Sequence, residues 1–309
     1  MTSPWWLLSA GAGVASAVLY GVTPGSPLGA MLAAVLVAAA LFMAGLGLGT
    51  MAGATASAVG VLAAMAIHGP VSGATFALSF GVPVAILVRQ AMLSRSVDGA
   101  VEWYPTGLLA ATLTIIGLGM AVAYTAILPT LGVLEQAEAL LRVFAENFAA
   151  SSDEITVEEL MDQIKWVMRL LPGMLTGFWM LALLAGGAVA QAVLEKIQRN
   201  LRPRPDFAGM RLPNWMAAVA AAAMAGAMFI PDPVGLYAVS MAFAACFGFL
   251  VQGLAVVHAF NRKIRGGTIL LAIFYLLVFA PIWPAMLLVL LGAVEQFAGF
   301  RRGWKKLAE

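Results

Sequence analysis

Long apolar stretches recur along the whole chain and constrain its fold more than any other feature. A helix needs about 20 mostly apolar residues to cross the hydrocarbon core of a bilayer. Of the 309 residues, 62% are hydrophobic and only 10% are charged, against roughly 25% charged in ordinary soluble domains. No single globular core could bury that much apolar surface. We therefore predict an all-α fold, a polytopic transmembrane helical bundle of eight to ten spans.

Eight stretches have the length and composition of a span, or nearly so, and most are separated by glycine and proline. They are Trp5–Val22, Leu28–Leu48, Thr50–Ile67, Val71–Met92, Thr106–Leu128, Gly173–Leu194, Trp215–Ile230 and Val234–Phe260. The last apolar stretch, 268–300, would be roughly 50 Å long as one helix, which exceeds a core of about 30 Å. Because Pro281 and Pro284 lie near its middle, we predict a hairpin of two short helices there. The total is then ten spans, or eight if two of the short glycine-rich segments are re-entrant.

The positions of the basic residues support ten spans. Fourteen of the seventeen fall on one side in that scheme, and the positive-inside rule makes this side the cytoplasm. They are Arg89, Arg95, Lys196, Arg199, Arg202, Arg204, Arg211, Arg262, Lys263, Arg265, Arg301, Arg302, Lys305 and Lys306. We therefore predict a protein integral to the bacterial cytoplasmic (inner) membrane, with both termini in the cytoplasm.

One long segment, 129–172, is too polar to be a span and holds eight of the fifteen acidic residues. Leu134, Leu141 and Phe148 recur in it at helical spacing. Thr156 and Glu159 form a capping-box pair, which is typical of the start of a second helix. We predict an extracytoplasmic pair of amphipathic helices here. It would separate an N-terminal transmembrane bundle, residues 1–128, from a C-terminal one, residues 173–309.

Small residues recur every four positions on the first predicted span, at Ser9, Gly13, Ala17 and Gly21. This spacing lets helices approach closely in lipid. The stripe has two readings, packing inside the protein or docking of a partner membrane subunit through Ser9, Gly13 and Ala17. A similar series of glycines crosses the predicted turn near Gly49, so it need not form one continuous ridge.

Polar side chains at membrane depth are costly and tend to face the bundle interior or a cavity. Gln252 and Glu295 are the clearest examples among the C-terminal apolar segments, and His258 lies one and a half turns beyond Gln252. We take these three as candidate ligand-binding residues and expect Gln252 and Glu295 to line one cavity. In the alternative interpretation, Glu295 extends to the membrane surface beside Arg301. His68 and His258 lie on opposite sides in the predicted topology, so we expect no shared metal.

No catalytic, cofactor-binding or metal-binding signature emerges, and we expect no enzyme activity. Nucleotide-binding loops end in Gly-Lys-Ser/Thr, which the chain lacks. Cys246 is the single cysteine, so the chain can form neither an internal disulfide nor a cysteine-based metal site. The positive-inside rule already explains the basic loops, so we expect no nucleic-acid partner.

Three segments resemble the YybS-like family, a bacterial membrane-protein domain of unknown function. They are 250–258 (Leu-Val-Gln-Gly-Leu-Ala-Val-Val-His), Leu171-Pro172-Gly173, and a C-terminal pattern of Leu291-Gly292, Glu295 and Phe300-Arg301-Arg302. Glu295 stands where the family pattern leads us to expect aspartate. The family is distantly similar to the substrate-binding S components of energy-coupling-factor transporters. In those components, small residues of the first helix dock against a transmembrane coupling subunit, which implies that role for Ser9, Gly13 and Ala17.

Together these features predict a transport-related membrane protein, a small-molecule binding or permease subunit without its own ATPase. Its expected partners are the lipid bilayer and a membrane coupling subunit with a separate ATPase. The alternative is a non-catalytic structural or assembly protein of the cell envelope that acts through its outer helices.

Overall fold

Helices make up most of the chain, and the all-α class is confirmed. A computed structural model describes residues 4–22, 25–151, 156–262, 264, 267, 269–271 and 283–301. The helices are α1 (Trp5–Tyr20), α2 (Pro27–Leu48), α3 (Thr50–His68), α4 (Pro70–Phe76), α5 (Val82–Ala91), α6 (Thr106–Ile127), α7 (Val133–Ala149), α8 (Val157–Lys196), α9 (Trp215–Phe229), α10 (Val234–Asn261) and α11 (Trp283–Ala298). A short antiparallel hairpin, β1 (Ser94–Val97) and β2 (Ala100–Trp103), follows α5.

Six helical stretches within the described residues are long and apolar enough to cross a membrane, so the chain is a membrane protein. They are Pro27–Leu48, Thr50–His68, Pro70–Ala91, Thr106–Leu131, Trp166–Lys196 and Val234–Asn261. Three shorter apolar helices are Trp5–Tyr20, Trp215–Phe229 and Pro284–Ala298. The first helix of the predicted terminal hairpin falls mostly on 272–282, outside the described residues, so the total of ten spans stays a prediction.

The stretch Pro70–Ala91 is one helix with a wider turn in its middle. A π-helical turn, Ala77–Gly81, joins α4 to α5. Pro83, two residues after this turn, has no N–H, so the Ser79 carbonyl four residues before it lacks its usual partner along the helix. Trp179 on α8 supplies that partner, because its Nε1–H donates to the Ser79 carbonyl oxygen at 2.6 Å.

The amphipathic pair predicted for 129–172 is present as α7 and the start of α8. The capping box is also present: the Thr156 N–H donates to Glu159 Oε2 at 2.9 Å, and the Glu159 N–H donates to Thr156 Oγ1 at 3.3 Å. However, α8 does not stop at residue 172. It spans 40 residues in all, Val157–Lys196, and runs through Pro172, so the predicted boundary between 172 and 173 falls inside a helix.

Local packing explains how α8 passes its proline. Pro172 cannot donate a backbone hydrogen bond to the preceding turn. Gly173 next to it packs so closely on Phe243 that an added Cβ would lie 2.9 Å from the Phe243 ring. Thr176 Oγ1 also donates to the Pro172 carbonyl oxygen at 2.8 Å. The extracytoplasmic position of the helical pair stays a prediction.

The chain divides into two compact units that differ from the three consecutive regions predicted from the sequence. The first comprises Met1–Leu113, Phe178–Pro213 and Leu250–Glu309, and the second comprises Thr114–Gly177 and Asn214–Phe249. Helices α6, α8 and α10 each contribute residues to both. In the second unit, Thr125 Oγ1 donates to Ser240 Oγ at 2.8 Å, and Arg169 pairs with Asp232 at 3.1 Å.

Candidate functional site

A stretch of irregular backbone in the first unit is buried, although it belongs to one of the basic loops between predicted spans. Residues 208–212, which we call the 208–212 segment, lie between α8 and α9 and have no helical or strand structure. Ala208, Met210 and Leu212 are only 3 to 5% exposed. Buried backbone N–H and C=O groups must find hydrogen-bond partners. Outside regular structure, those partners have to come from side chains.

Gln252 on α10 supplies some of these hydrogen-bond partners. Its Oε1 accepts the Leu212 N–H at 2.7 Å, and its Nε2 donates to the Gly292 carbonyl oxygen at 2.8 Å and to Gln296 Oε1 at 3.0 Å. Gln296 Nε2 donates in turn to the Leu212 carbonyl oxygen at 3.3 Å. The two glutamines therefore attach both polar groups of Leu212 to α10 and α11. Gly253 allows α10 and α11 to lie close together, since an added Cβ at this position would overlap the Leu288 carbonyl.

Glu295 on α11 forms a buried ion pair with Arg301. Arg301 Nε donates to Glu295 Oε1 at 2.9 Å, and the two side chains are 10% and 0% exposed. The guanidinium also donates from Nη1 to the Ala208 carbonyl oxygen at 2.6 Å and from Nη2 to the Met210 carbonyl oxygen at 2.8 Å. Glu295 Oε2 is buried and has no hydrogen-bond partner in the described part of the chain. Glu295 thus lies beside Arg301, as in the alternative interpretation, and both side chains are buried within the protein.

Gln252 and Glu295 therefore belong to one cluster, built from Gln252, Glu295, Gln296 and Arg301 around the 208–212 segment. We call it the polar cluster. Its amide, guanidinium and main-chain groups contact one another directly. The structure places Gln252 and Glu295 around the same segment, and the shared cavity stays a prediction.

The two histidines lie in different surroundings. His258 Nδ1 lies 2.9 Å from the Leu254 carbonyl oxygen on its own helix, and its ring packs edge-on against Phe207 with centroids 5.2 Å apart. His68 lies on α3, where its Nε2 is 3.2 Å from the Ala17 carbonyl oxygen and its ring covers Gly21. Thus His258 flanks the loop that leads into the 208–212 segment, whereas His68 belongs to the packing of α3 on α1.

The small-residue stripe of α1 faces α3 within the same chain. Ser9 and Ala17 are fully buried, and Gly13 is buried as well. A Cβ at Gly13 would overlap the Ala56 carbonyl oxygen and the Gly60 nitrogen of α3. The predicted docking surface is therefore occupied by the protein itself, which favours internal packing over docking of a partner subunit.

The glycine series at the predicted turn has a related role. Gly49, with φ of 105°, ends α2 and precedes α3, a backbone conformation that glycine adopts without steric cost. Gly45 and Gly53 then face each other across the turn, since an added Cβ on Gly53 would lie 3.0 Å from Gly45 Cα.

Sequence reasoning missed Gln296 and the burial of the 208–212 segment. The signal for Gln296 was available, because it follows Glu295 in an otherwise apolar helix. The segment gave no such signal, because its flanking prolines and arginines are typical of exposed loops. Among the described residues, no group of three or more histidine, cysteine, aspartate or glutamate side chains could hold a metal ion.

A buried carboxylate–guanidinium pair is sensitive to the loss of either partner. Breaking it by removing one partner leaves an uncompensated buried charge, which costs about 3–5 kcal/mol. A ligand that competes for Arg301 would therefore act on its hydrogen bonds to the two carbonyls of the 208–212 segment as well. The polar cluster links one buried ion pair to this backbone.

Comparisons with known proteins give one match. Searches of curated proteins and of solved structures found no match. The YybS-like name and the similarity to S components gain no support here and stay predictions. A family model described as "Predicted membrane protein (DUF2232)" matches residues 14–294, most of the chain. The chain therefore belongs to the DUF2232 family of membrane proteins.

Proposed function

We propose that the protein is transport-related, a small-molecule binding or permease subunit of the bacterial inner membrane with both termini in the cytoplasm. The observation that carries this proposal is the fully buried Glu295 carboxylate, one oxygen of which is paired with Arg301 while the other has no partner in the described residues. Ionisable groups inside apolar helices are costly and commonly mark substrate, ion or proton pathways.

In this proposal the polar cluster is the part of the protein that responds to the small molecule. The protein is not an enzyme. The chain lacks the Gly-Lys-Ser/Thr loop of nucleotide-binding proteins. Uptake driven by ATP would therefore require a membrane coupling subunit with a separate ATPase. Because Ser9, Gly13 and Ala17 are buried within the protein, with Gly13 against α3, such a subunit would dock on another surface.

Native mass spectrometry of gently extracted protein tests this function. We expect the wild-type protein to retain a small molecule of reproducible mass, and Glu295→Gln to lose it because the charge disappears while the side-chain shape remains. Glu102→Gln is the matched control, since it makes the same change at an exposed ion pair with Arg95. Retention of the same molecule by the wild type and Glu295→Gln alike, or no bound small molecule in any variant, would contradict the proposal.

The envelope-assembly alternative is favoured by one feature of the second unit. Phe144 and Phe148 on α7 stack with centroids 6.2 Å apart, and both are about half exposed, as is Trp166 on α8. Exposed apolar faces of this kind mark interaction surfaces. If envelope proteins co-purify with the wild type but not with Phe144→Ser, and no small molecule is retained, this alternative is favoured.

A further inference from the structure

A small open cavity lies where the end of the β-hairpin meets the loop after α8. Its volume is about 230 Å³. Both walls belong to the first unit. The side chains that matter here are Trp103, Tyr104 and Thr106 on one wall and Arg202, Arg204 and Asp206 on the other. It is separate from the polar cluster, and the proposed transport function does not use it.

Arg202 brings a buried positive charge to this cavity. It is 5% exposed, and it donates from Nη1 to the Ala91 carbonyl oxygen at 2.9 Å and from Nη2 to the Tyr104 carbonyl oxygen at 2.7 Å. Its guanidinium also lies 5.9 Å from the centroid of the Trp103 ring. These partners are neutral, and within the described ranges no carboxylate lies within ion-pair distance of Arg202. Burial accordingly lowers the pKa of the guanidinium below its ordinary value.

An arginine charge in such surroundings is unusual, because buried charges are normally paired. The guanidinium carries five N–H donors, and the two carbonyls satisfy part of this capacity without neutralising the charge. An anion in the cavity would do so.

The surroundings of Arg202 add positive potential. Arg204 is largely exposed, and its contact with Glu195, at 4.0 Å, is long for an ion pair. The carboxylate of Asp206 is already engaged by Arg262 at 3.0 Å. In addition, α6 begins at Thr106 with no acidic residue in its first turn, so the partial positive charge of that helix end is not offset by a side chain of its own first turn.

We propose that this cavity binds a phosphate group, carried either by the headgroup of an anionic phospholipid or by free inorganic phosphate. Arginine side chains match the geometry of phosphate oxygens through paired hydrogen bonds. Basic pockets at the ends of membrane helices are a known setting for anionic headgroups. Arg202 supplies the buried charge, and Arg204, at the rim, closes on the phosphate oxygens.

Two titrations of the full-length protein test this site and separate the two sources. In the first, the protein in nanodiscs of phosphatidylethanolamine is titrated with phosphatidylglycerol, and retained lipid is counted by native mass spectrometry. In the second, detergent-solubilised protein is titrated with inorganic phosphate against chloride at equal ionic strength, and thermal stability is followed. We expect saturable binding in at least one titration, and the titration that responds identifies the source.

Arg204→Gln is the informative variant because its exposed side chain is not needed for folding. Loss of one charge-assisted hydrogen bond should weaken binding about tenfold. Arg199→Gln is the matched control, since it removes the same charge from the same loop outside the cavity. Its binding should equal that of the wild type. The proposal is overturned if neither probe binds saturably, if Arg204→Gln binds as tightly as the wild type, or if both variants weaken binding equally.

Discussion

The buried Glu295–Arg301 pair makes a quantitative prediction about stability. Arg301→Met removes the partner of a fully buried carboxylate and the donors to the Ala208 and Met210 carbonyl oxygens. Removing one member of a buried ion pair costs about 3–5 kcal/mol. We therefore expect Arg301→Met to lower the free energy of unfolding by about 4 kcal/mol. Equilibrium unfolding by SDS in mixed micelles would measure the difference.

A double-mutant cycle separates the pair from the rest of the cluster. Glu295→Leu with Arg301→Met removes both charges, so no uncompensated charge remains. The two carbonyls still lose their donors, at about 1–3 kcal/mol for each unsatisfied group. The double variant should therefore be more stable than the sum of the single effects predicts, by about 1–3 kcal/mol.

The matched control for this cycle is Arg262→Met. Arg262 pairs with Asp206 at 3.0 Å, but both side chains are about two-thirds exposed. Exposed pairs contribute about 0–1 kcal/mol, so this variant should be nearly neutral. A cost for Arg301→Met below about 1 kcal/mol, or strict additivity in the cycle, would refute the reasoning that the buried pair holds the 208–212 segment.

Three further outcomes are expected. Gly13→Leu should abolish accumulation of folded protein because its side chain would overlap the α3 backbone, whereas Gly11→Leu, with open space around it, should accumulate normally. In a cysteine-free background, a cysteine at Ser151 should react with an impermeant thiol reagent from outside the cell and one at Arg204 should not; the reverse pattern would invert the predicted topology. Hydrogen bonds from the capping threonine lower the pKa of Glu159. Its stabilisation is present above the ordinary glutamate pKa and lost as pH falls through the lowered value. Protection against hydrogen exchange at the start of α8, taken relative to the intrinsic exchange rate at each pH, should therefore fall there; unchanged protection would contradict this.

The apolar helices could be predicted from the sequence because each depends on local composition. Hydropathy placed α2, α3, α6 and α10 within a few residues, and the Thr156–Glu159 spacing placed the start of α8. The same local reasoning ended a segment at Pro172, where packing of Gly173 on Phe243 keeps the helix continuous. The sequence predicts a helix break at a proline from the local composition alone. Contacts distant in sequence decide whether the helix breaks there.

The candidate site was predictable only as a set of residue types. Gln252 and Glu295 stand out as polar residues in apolar helices, and this pointed to the region of the polar cluster. Their partners did not stand out, because the carbonyls of Ala208 and Met210 belong to a loop whose composition predicts exposure. Backbone groups leave no mark in the residue types, so a site completed by main-chain atoms stays hidden until the fold is known.

The π-helical turn Ala77–Gly81 sets the angular position of everything that follows it in the same helix. If the same residues were wound as an ordinary α-helix instead, with one residue fewer in this turn, α5 would be rotated by about 100° about its axis. Val88 would then lose its contact with Gly45, where its side chain now packs closely on α2. The Ala91 carbonyl would turn away from Arg202 together with it. The wider turn in this helix therefore aligns two distant features, the close packing of Val88 on α2 and the backbone that holds the buried arginine.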